Sequence, residues 1–383
     1  MPMNGKHILY TASSDAHLKS FHLPYLHLLT RLGYDVTAAA AGSGYELQGI
    51  CRYISVPFTK SFVSPRNLSA TFRLAELIRR ERFDLVLTHT SLAAFFTRLA
   101  LILAGKKNTR VVNTVHGYLF DDQTPAVKRT VLLWAEKLTS RVTDDIVTMN
   151  RTDTVIAQHF RLCRGQVFQV NGIGADFARF RPACGAEKTD ARRALGIPED
   201  AFVLVYAAEF SSRKNQSMLI ESMPELPARV WLLLPGRGEL LKGCRALADR
   251  LHVSDRTVFP GYRDDIAGCY HAADACVSSS RSEGLPFNVL EAMSCGLPAI
   301  VSAVKGHEEL VSSGTNGYLF PFGDRKTFVA SVGKLLSDTA AATRMGFAAR
   351  ASTERYGIDE VMPVVISCYL ADTDESNRPG KTV

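Results

Sequence analysis

Two glutamates stand eight positions apart around a Gly-Leu-Pro in the stretch SSSRSEGLPFNVLEAMSCGLPAIVS, from Ser278 to Ser302. Pro286 suits the first turn of a helix, so we expect a helix to begin near it and to leave Glu283 in the preceding loop. Amides at a helix N-terminus bind phosphate oxygens. Glu291, inside the helix, could then accept hydrogen bonds from ribose hydroxyls. The same spacing also fits two carboxylates that only complement the helix N-terminus, and the residues by themselves leave both interpretations open.

Short apolar, β-branched runs alternate with longer helical patterns in two parts of the chain. The first series starts with HILYTAS at 7–13, continues with a helical pattern over 18–32 and reaches RVVNTVHG at 110–117. The second starts with FVLVYAA at 202–208 and reaches PAIVSA at 298–303, so it contains both glutamates. Strands that alternate with helices form parallel sheets, and such sheets bind ligands at the carboxyl ends of their strands.

We therefore predict an α/β protein with two Rossmann-like doubly wound domains that face a central cleft. The length of 383 residues also favours two domains. We expect one domain over 1–175 and a second over 187–356, joined by a Gly-rich linker around 172–187. The last helical pattern, at 357–372, is expected to pack back on the first domain.

Charge is distributed unevenly along the chain. Residues 1–175 contain 21 Lys and Arg against 12 Asp and Glu, a net charge of +9, whereas the remainder has −2. A basic half predicts an anionic surface or ligand, although a solvated face explains it equally well. We find no nucleic-acid module, so an anionic membrane surface fits better. The candidate basic residues are Arg79, Arg80, Arg82, Lys106, Lys107, Arg110, Lys128 and Arg129.

Several classes of protein lack support in the sequence. The nearest approach to a membrane span, 92–104, is interrupted by Arg98, and the N-terminus does not resemble a signal peptide, so we expect a cytoplasmic protein. The first strand is not followed by the G-x-G-x-x-G of dinucleotide sites, and no Walker motif is present. None of the eight cysteines forms a C-x2-C pair, which argues against zinc and redox sites.

The stretch EGLPFNVLEAMSCGLPAI, 283–300, resembles the E-x7-E signature of retaining glycosyltransferases of family 4, which have the two-domain GT-B fold. RKNQ at 213–216 resembles the Lys-Asn loop of that family, PGRGEL at 235–240 its Gly-x-Gly turn and TVFPGYRDDI at 257–266 its base-binding loop. The matches continue in GHEELVSSGTNGYLFPFGD at 306–324, similar to the closing segment of the family.

Two N-terminal segments also resemble this family. Thr114-Val115-His116-Gly117 is similar to its N-domain histidine loop. AHLKSFHLPYLHLLTRLGYDV, 16–36, resembles the branch that builds bacterial capsular, exopolysaccharide or lipopolysaccharide repeat units. The resemblance thus covers most of the chain. It implies that the domain over 1–175 binds the acceptor and that the domain over 187–356 binds the nucleotide-sugar.

The resemblance implies a role for each matching residue. Lys214 would neutralise the nucleotide diphosphate, Glu283 would grip the transferred sugar and His116 would lie against that sugar. Glu291 would hold the ribose. No metal or other cofactor is implied, and the acidic pairs at 121–122, 144–145 and 264–265 are not D-x-D motifs. The other implied donor-site residues are Gly284, Leu285, Pro286, Arg213, Gly236, Tyr262 and Arg263.

The chain departs from the family pattern in two loops. Ala208-Glu209-Phe210 replaces the usual Gly-Arg-Leu, so the arginine that accompanies the lysine is missing, and Arg213 either replaces it or points to solvent. Residues 13–17 replace the Gly-Gly loop after the first strand. Among nearby histidines, His17 and His22 are acceptor-site candidates, and His27 and His89 could also face the acceptor, although packing is the alternative for all four. Trp134 is expected in the core.

Together these features predict a hexosyltransferase, a retaining enzyme that moves a sugar from a nucleotide donor, expected to be UDP-linked, to a lipid-linked saccharide. It would act at the inner face of the cytoplasmic membrane as a peripheral protein. Two alternatives are a sugar-nucleotide epimerase of the same fold and a non-catalytic GT-B partner protein. The sequence predicts no oligomeric state.

Overall fold

The computed structural model describes residues 6–106, 108–120 and 124–371. The chain forms two compact units, the first from Met1–Ile173 with Asp359–Val383 and the second from Gly174–Ile358. The chain crosses between them twice, at neighbouring points. The amide of Ala175 donates to the carbonyl oxygen of Tyr356 at 2.9 Å, and the carbonyl oxygen of Ala175 accepts from the amide of Ile358 at 3.0 Å.

The first unit is a seven-stranded parallel sheet with helices, in the order β3-β2-β1-β4-β5-β6-β7. Its strands are β1 His7–Ser14, β2 Asp35–Ala41, β3 Arg52–Ser55, β4 Leu85–His89, β5 Arg110–Val115, β6 Asp145–Thr148 and β7 Val167–Gln169. Its helices are α1 Asp15–Phe21, α2 Leu23–Arg31, α3 Pro65–Glu81, α4 Ser91–Ala104, α5 Ala126–Ser140, α6 Arg151–His159 and, at the end of the chain, α15 Ile358–Leu370.

The second unit contains a six-stranded parallel sheet, in the order β10-β9-β8-β11-β12-β13. Its strands are β8 Phe202–Val205, β9 Val230–Leu233, β10 Thr257–Val258, β11 Ala275–Ser278, β12 Ala299–Ser302 and β13 Gly317–Phe320. Its helices are α7 Glu187–Ala194, α8 Gln216–Ser222, α9 Leu241–Arg250, α10 Ile266–His271, α11 Phe287–Ser294, α12 Lys305–Leu310, α13 Arg325–Ser337 and α14 Thr339–Thr353. The predicted α/β class with two parallel sheets is confirmed.

Each sheet has one point at which the strand order reverses. In the first unit, β1 pairs with β2 on one side and β4 on the other, and in the second unit β8 pairs with β9 and β11. Chain connections leave such a point in opposite directions and open a crevice at the carboxyl ends of the strands. The loops after β1 and β4, and those after β8 and β11, are therefore the favoured positions for ligand sites.

The last helix packs on the first unit through polar contacts as well as apolar ones. Arg110 at the start of β5 donates to the main-chain carbonyls of Cys368 and Tyr369, and its guanidinium also pairs with Asp145 at 2.7 Å. The Tyr369 hydroxyl lies 2.9 Å from Thr114 Oγ1. The predicted helix extends to residue 372, which lies outside the described residues.

Three sequence expectations for this unit are wrong. The helical pattern over 18–32 is two helices, because His22 leaves the helical conformation and Pro24 lies in the first turn of α2. Trp134 is 69% exposed and not in the core. Lys106 and Arg110 are engaged by Asp144 and Asp145, so neither belongs to an open basic surface, and Lys107 lies outside the described residues.

Candidate active site

The loops that follow β8 and β11 bring three charged side chains together. Lys214 donates from Nζ to Oε1 of Glu283 at 2.6 Å, and Arg213 donates from Nη1 to Oε2 at 3.1 Å. Ser280 adds a hydrogen bond to Oε1 from its hydroxyl. The three residues are adjacent because β8 and β11 pair at the reversal of the strand order. We call Arg213, Lys214 and Glu283 the charged cluster.

Burial and charge act in opposite directions on the two buried members. Burial by itself would raise the pKa of Glu283, but Lys214 and Arg213 lower it to about 2. Burial lowers the pKa of Lys214, and the carboxylate of Glu283 opposes that shift. A buried ion pair of this kind costs desolvation energy, so its value for stability is small. A ligand phosphate could draw on the positive charges of Lys214 and the half-exposed Arg213.

Arg213 resolves the alternative that its sequence position left open. Its guanidinium contacts both the carboxylate of Glu283 and the carbonyl of Ser282, while its side chain remains 50% exposed. It therefore does not simply point to solvent. Glu209, at the position of the usual family arginine, is exposed.

The helix after the cluster begins where the sequence predicts. Pro286 is the N-cap residue of α11, which starts at Phe287, and Leu285 is buried. The glycine at the start of the 306–324 motif packs closely behind this loop, because a Cβ added to Gly306 would lie 2.5 Å from the carbonyl oxygen of Gly284. Any larger residue at Gly306 would displace the loop that carries Glu283.

Glu291 lies inside α11 and has a partner that the sequence did not reveal. Tyr270 of α10 donates from its hydroxyl to Oε2 of Glu291 at 3.0 Å, and both side chains are largely buried. Burial raises the pKa of Glu291 to about 7, against the opposing effect of the Tyr270 hydrogen bond. The carboxyl group therefore changes charge near neutral pH.

Two further loops of the second unit carry predicted donor residues. The amide of Gly236, after β9, donates to the carbonyl of Gly261 at 2.8 Å, next to the exposed Tyr262 and Arg263. Gly238 has φ +156°, and a Cβ there would meet the main chain of Phe210 at 2.3 Å. The guanidinium of Arg237 lies 4.7 Å from the centre of the Tyr262 ring.

The first unit carries a cluster of four histidines at the same kind of sheet edge. His17 and His22 follow β1, His89 ends β4 and His116 follows β5. The Nε2 atoms of His17 and His22 are 3.2 Å apart, and His89 Nδ1 lies 3.3 Å from His116 Nε2. The Tyr10 hydroxyl forms a 2.7 Å hydrogen bond with His22 Nδ1. We call these four side chains the histidine cluster.

Burial keeps this cluster neutral. It lowers the pKa of His17 to about 4 and those of His22, His89 and His116 well below the ordinary value. His22 and His89 are fully buried, whereas His17 and His116 are partly exposed. Only the latter two can touch a ligand directly, so His22 reaches an acceptor only through its neighbours. His27 is exposed on α2 and lies outside the cluster.

Three members of the histidine cluster also have the geometry of a metal site. One nitrogen from each of His17, His22 and His116 lies within 4.8 Å of the others. Three neutral imidazoles suit Zn²⁺ or a similar divalent ion. Among the described residues this is the group that offers three converging ligands, and sequence reasoning missed it because His116 lies about 100 residues after His17 and His22.

Sequence reasoning missed several other residues around the charged cluster. His307 of α12 is buried, its Nδ1 lies 2.8 Å from the carbonyl oxygen of Ser302, and its Nε2 has no hydrogen-bond partner among the described residues. It lies in the quoted 306–324 motif, which was the available signal. Ser280 and Tyr270 carried no signal in the sequence, because only the fold places them against Glu283 and Glu291.

Comparison with known proteins gives matches in both units. Residues 187–352 match the model of "Glycosyl transferases group 1", and residues 26–160 match that of "Glycosyltransferase Family 4". EpsD of Bacillus subtilis (strain 168), provisionally named as a glycosyltransferase, is 33% identical over 376 residues, which cover 97% of this chain and 98% of EpsD. A UDP-Gal:alpha-D-GlcNAc-diphosphoundecaprenol alpha-1,3-galactosyltransferase of Escherichia coli is 27% identical, over 76% of this chain and 73% of its own.

Solved structures share the fold. The Anabaena protein Alr3699/HepE, solved in complex with UDP and glucose, has a TM-score of 0.79 at 19% identity, over 95% of this chain and 99% of its own. WaaG, described as a glycosyltransferase involved in lipopolysaccharide biosynthesis, has a TM-score of 0.76 at 15% identity, over 96% of this chain and 100% of its own. The fold is therefore GT-B, and the relative that matches over nearly its whole length shows the family: this chain belongs to the family 4 glycosyltransferases, enzymes that include hexosyltransferases.

Proposed function

We propose that this enzyme is a retaining glycosyltransferase that moves a hexose from a UDP-sugar to a lipid-linked saccharide during assembly of a surface polysaccharide or lipopolysaccharide. The observation that carries the proposal is the charged cluster beside the start of α11. Lys214 and Arg213 converge there on Glu283, at the point where a parallel sheet binds ligands. The donor and acceptor classes are supported by relatives, one named for UDP-Gal and a diphosphoundecaprenol acceptor and one solved with UDP-glucose.

Each residue of the donor site has a role in this proposal. Lys214 and Arg213 balance the negative charge of the diphosphate, and Glu283 positions both cations and accepts a hydrogen bond from the transferred sugar. Glu291 accepts hydrogen bonds from the ribose, with Tyr262 and Arg263 on the loop assigned to the base. Gly284, Leu285 and Pro286 place the first turn of α11 against phosphate oxygens.

Transfer breaks the bond between the sugar anomeric carbon and the diphosphate oxygen and forms a bond from that carbon to the acceptor oxygen. The acceptor proton passes to the departing phosphate on the same face, which retains the anomeric configuration. Charge develops on the phosphate, and a preorganised donor aimed at such a charge contributes about 10²- to 10³-fold to kcat. His116 and His17 contact sugar or acceptor hydroxyls as neutral groups, and no metal is required.

The deciding experiment is a screen of UDP-, GDP- and ADP-sugars with a lipid-linked saccharide extracted from membranes. We expect transfer from a UDP-hexose and, by NMR of the product, the same anomeric configuration as the donor. An inverted product would reject the retaining mechanism. Incubation of the donors without acceptor tests the epimerase alternative, because release of an epimer there would replace the transferase proposal. Absence of any donor turnover with a verified acceptor would favour a non-catalytic partner protein.

The acceptor class also implies that the enzyme works at a membrane. None of the helices in the described ranges is long and apolar enough to cross one. We therefore propose peripheral association with the inner face of the cytoplasmic membrane, supported by the excess of Lys and Arg in residues 1–175.

A further inference from the structure

Helix α5 exposes a stripe of apolar side chains along its length. Val127, Val131, Trp134 and Leu138 are 80%, 56%, 69% and 42% exposed. Their spacing of four, three and four residues places them on one face of the helix, over about 16 Å at 1.5 Å per residue. Large apolar side chains grouped on a surface indicate an interaction site, whereas scattered ones do not. We call these four residues the α5 stripe.

The opposite face of α5 is anchored to the first unit, so the stripe is held in place. Arg98 of α4 is 1% exposed, and its guanidinium donates to both carboxylate oxygens of Glu136 at 3.1 and 3.0 Å. Leu132 and Leu133 pack against the buried cluster that contains Val115 and Ile146. This anchoring fixes the helix rotation and directs the α5 stripe outward.

An apolar pocket lies beside the same helix. Its interior space is about 20 Å³, room for roughly one water molecule, so it is a shallow depression, and Glu136 is its charged lining residue. Phe62 and Leu119 are 39% and 51% exposed, so the apolar surface continues from α5 around the mouth. The apolar lining residues are Phe62, Leu92, Phe95, Leu119, Phe120 and Leu132.

The charges on α5 indicate what covers this surface. Lys128 and Lys137 are exposed on the helix, and Arg141 follows its end. Glu136, the single acidic residue of α5, is paired with Arg98 and turned inward. A helix with an apolar face, exposed tryptophan and basic flanks is suited to the boundary between lipid headgroups and acyl chains.

We infer that the α5 stripe, with Phe62 and Leu119, docks on an anionic lipid bilayer. This inference rests on the proposed function, because it supplies the surface through which a lipid-linked acceptor is reached. Helix α5 then supplies the basic contact with the bilayer. Lys106 and Arg110 do not, because both are engaged in ion pairs.

The test uses vesicles of phosphatidylcholine alone and vesicles that also contain phosphatidylglycerol. We expect sedimentation of the full chain with the anionic vesicles, weakened by added salt. The protein has two tryptophans, and we expect vesicles to shift its emission to shorter wavelength. That shift should disappear in Trp134→Phe, which retains Trp231. An unchanged spectrum of the wild type, or an equal shift in Trp134→Phe, would overturn the proposal.

A pair of variants distinguishes binding through this surface from nonspecific binding to vesicles. Val131→Ser with Trp134→Ser should weaken vesicle binding by about tenfold or more, since each loses apolar area to bury. Phe347→Ser is the matched control, because Phe347 is 72% exposed on α14 and should leave binding unchanged. Equal binding by the double variant and the wild type would reject the α5 stripe as the contact with the bilayer. If the wild type is a dimer that the double variant abolishes, a second copy covers the stripe and the bilayer assignment is wrong.

The acceptor used in the assay distinguishes this proposal from the proposed function. With a water-soluble acceptor that carries a short lipid, the double variant should transfer sugar at the wild-type rate. With an acceptor embedded in vesicles, its rate should fall in parallel with binding. An equal loss with both acceptors would place the stripe in the active site and reject docking. Vesicle binding without transfer from any donor would instead reject the proposed function alone.

Discussion

The charged cluster and the histidine cluster occupy equivalent positions in the two units but have opposite electrostatics. The charged cluster lies on the loops after β8 and β11, at the reversal of strand order, and the histidine cluster lies at the ends of β1, β4 and β5, at and beside the reversal in the first sheet. In the second unit the buried carboxylate of Glu283 is paired with Lys214 and Arg213, whereas in the first unit burial keeps four imidazoles neutral. In the proposed function, the same topology therefore offers cations to a phosphate anion in one unit and neutral donors and acceptors to hydroxyl groups in the other.

The comparison predicts that removal of Lys214, the buried cation of the charged cluster, lowers the transfer rate most. Lys214→Ala should lower kcat by about 10²- to 10³-fold, because the charge that develops on the diphosphate loses its buried partner. Steady-state kinetics with the donor found in the screen checks this. Lys188→Ala is the control, since Lys188 also forms an ion pair, with Asp274 at 2.6 Å, but away from the cluster. Equal rates for Lys214→Ala and the wild type would reject the site assignment.

Removal of a neutral hydrogen-bonding group should reduce the rate of transfer less than removal of Lys214. His116→Ala should reduce kcat/KM by about tenfold, the value of one or two neutral hydrogen bonds. His27→Ala, on the exposed face of α2, should have no effect. A loss of activity as large as that of Lys214→Ala would show that the histidine cluster does more than bind hydroxyls. It would contradict the assignment of different roles to the two clusters.

Glu291 should make donor binding depend on pH. Because its pKa is raised to about 7, it is ionised above that pH and becomes protonated as the pH falls. Protonation removes the negative charge of the carboxylate and turns one of its acceptor oxygens into a donor, which weakens its hydrogen bonds with the ribose hydroxyls. The donor KM should therefore rise by about tenfold from pH 8 to pH 6. In Glu291→Gln this pH dependence should be absent. A donor KM that is flat with pH in the wild type would contradict the assignment.

The neutral histidine cluster should make stability depend on pH. The folded pKa values are lowered, so the unfolded chain takes up protons below about pH 6.5 that the folded cluster refuses. Stability is thus lost as the pH falls from that value toward the lowered folded pKa, by about 1.4 kcal/mol per pH unit for each full proton. Denaturant unfolding at pH 7, 6 and 5 measures this slope. His89→Gln should flatten it, and the exposed His27→Gln should not.

Removal of metal ions should have the smallest effect on transfer. The proposed reaction uses Lys214 and Arg213 in place of a metal, so EDTA should leave the rate unchanged. His17, His22 and His116 nevertheless have ligand atoms within 4.8 Å, which makes the outcome informative. A rate that falls with EDTA and returns with Zn²⁺, but not in His17→Ala, would show that the cluster binds a metal needed for transfer.

Local signals in the sequence located the residues of the charged cluster in the second unit. Pro286 located the start of α11 to within one residue, because proline favours the first helical turn and here lies immediately before it, as the N-cap residue. The motifs at 213–216 and 283–291 then identified the residues that form the charged cluster. What the motifs could not provide was contact geometry, such as Arg213 against Glu283 or Tyr270 against Glu291, since these pairs join separate segments of the chain.

The first unit shows why other predictions from the sequence were wrong or missing. Trp134 was expected in the core. Apolar residues occur all around its helix, however, and periodicity does not say which face is covered. The buried Arg98–Glu136 pair decides the rotation, and it joins residues 38 positions apart. Sequence spacing offered no sign of it.

The sequence by itself determined the fold class, the two parallel sheets and the E-x7-E and Lys-Asn motifs, because strand alternation and helix-start chemistry act over a few neighbouring residues. Only the tertiary structure decided that four histidines from three loops form one neutral cluster and that Trp134 faces outward. Those outcomes depend on burial and on the pairing of distant strands. Side-chain pKa values and exposed faces are set by such long-range packing, which local pattern does not encode.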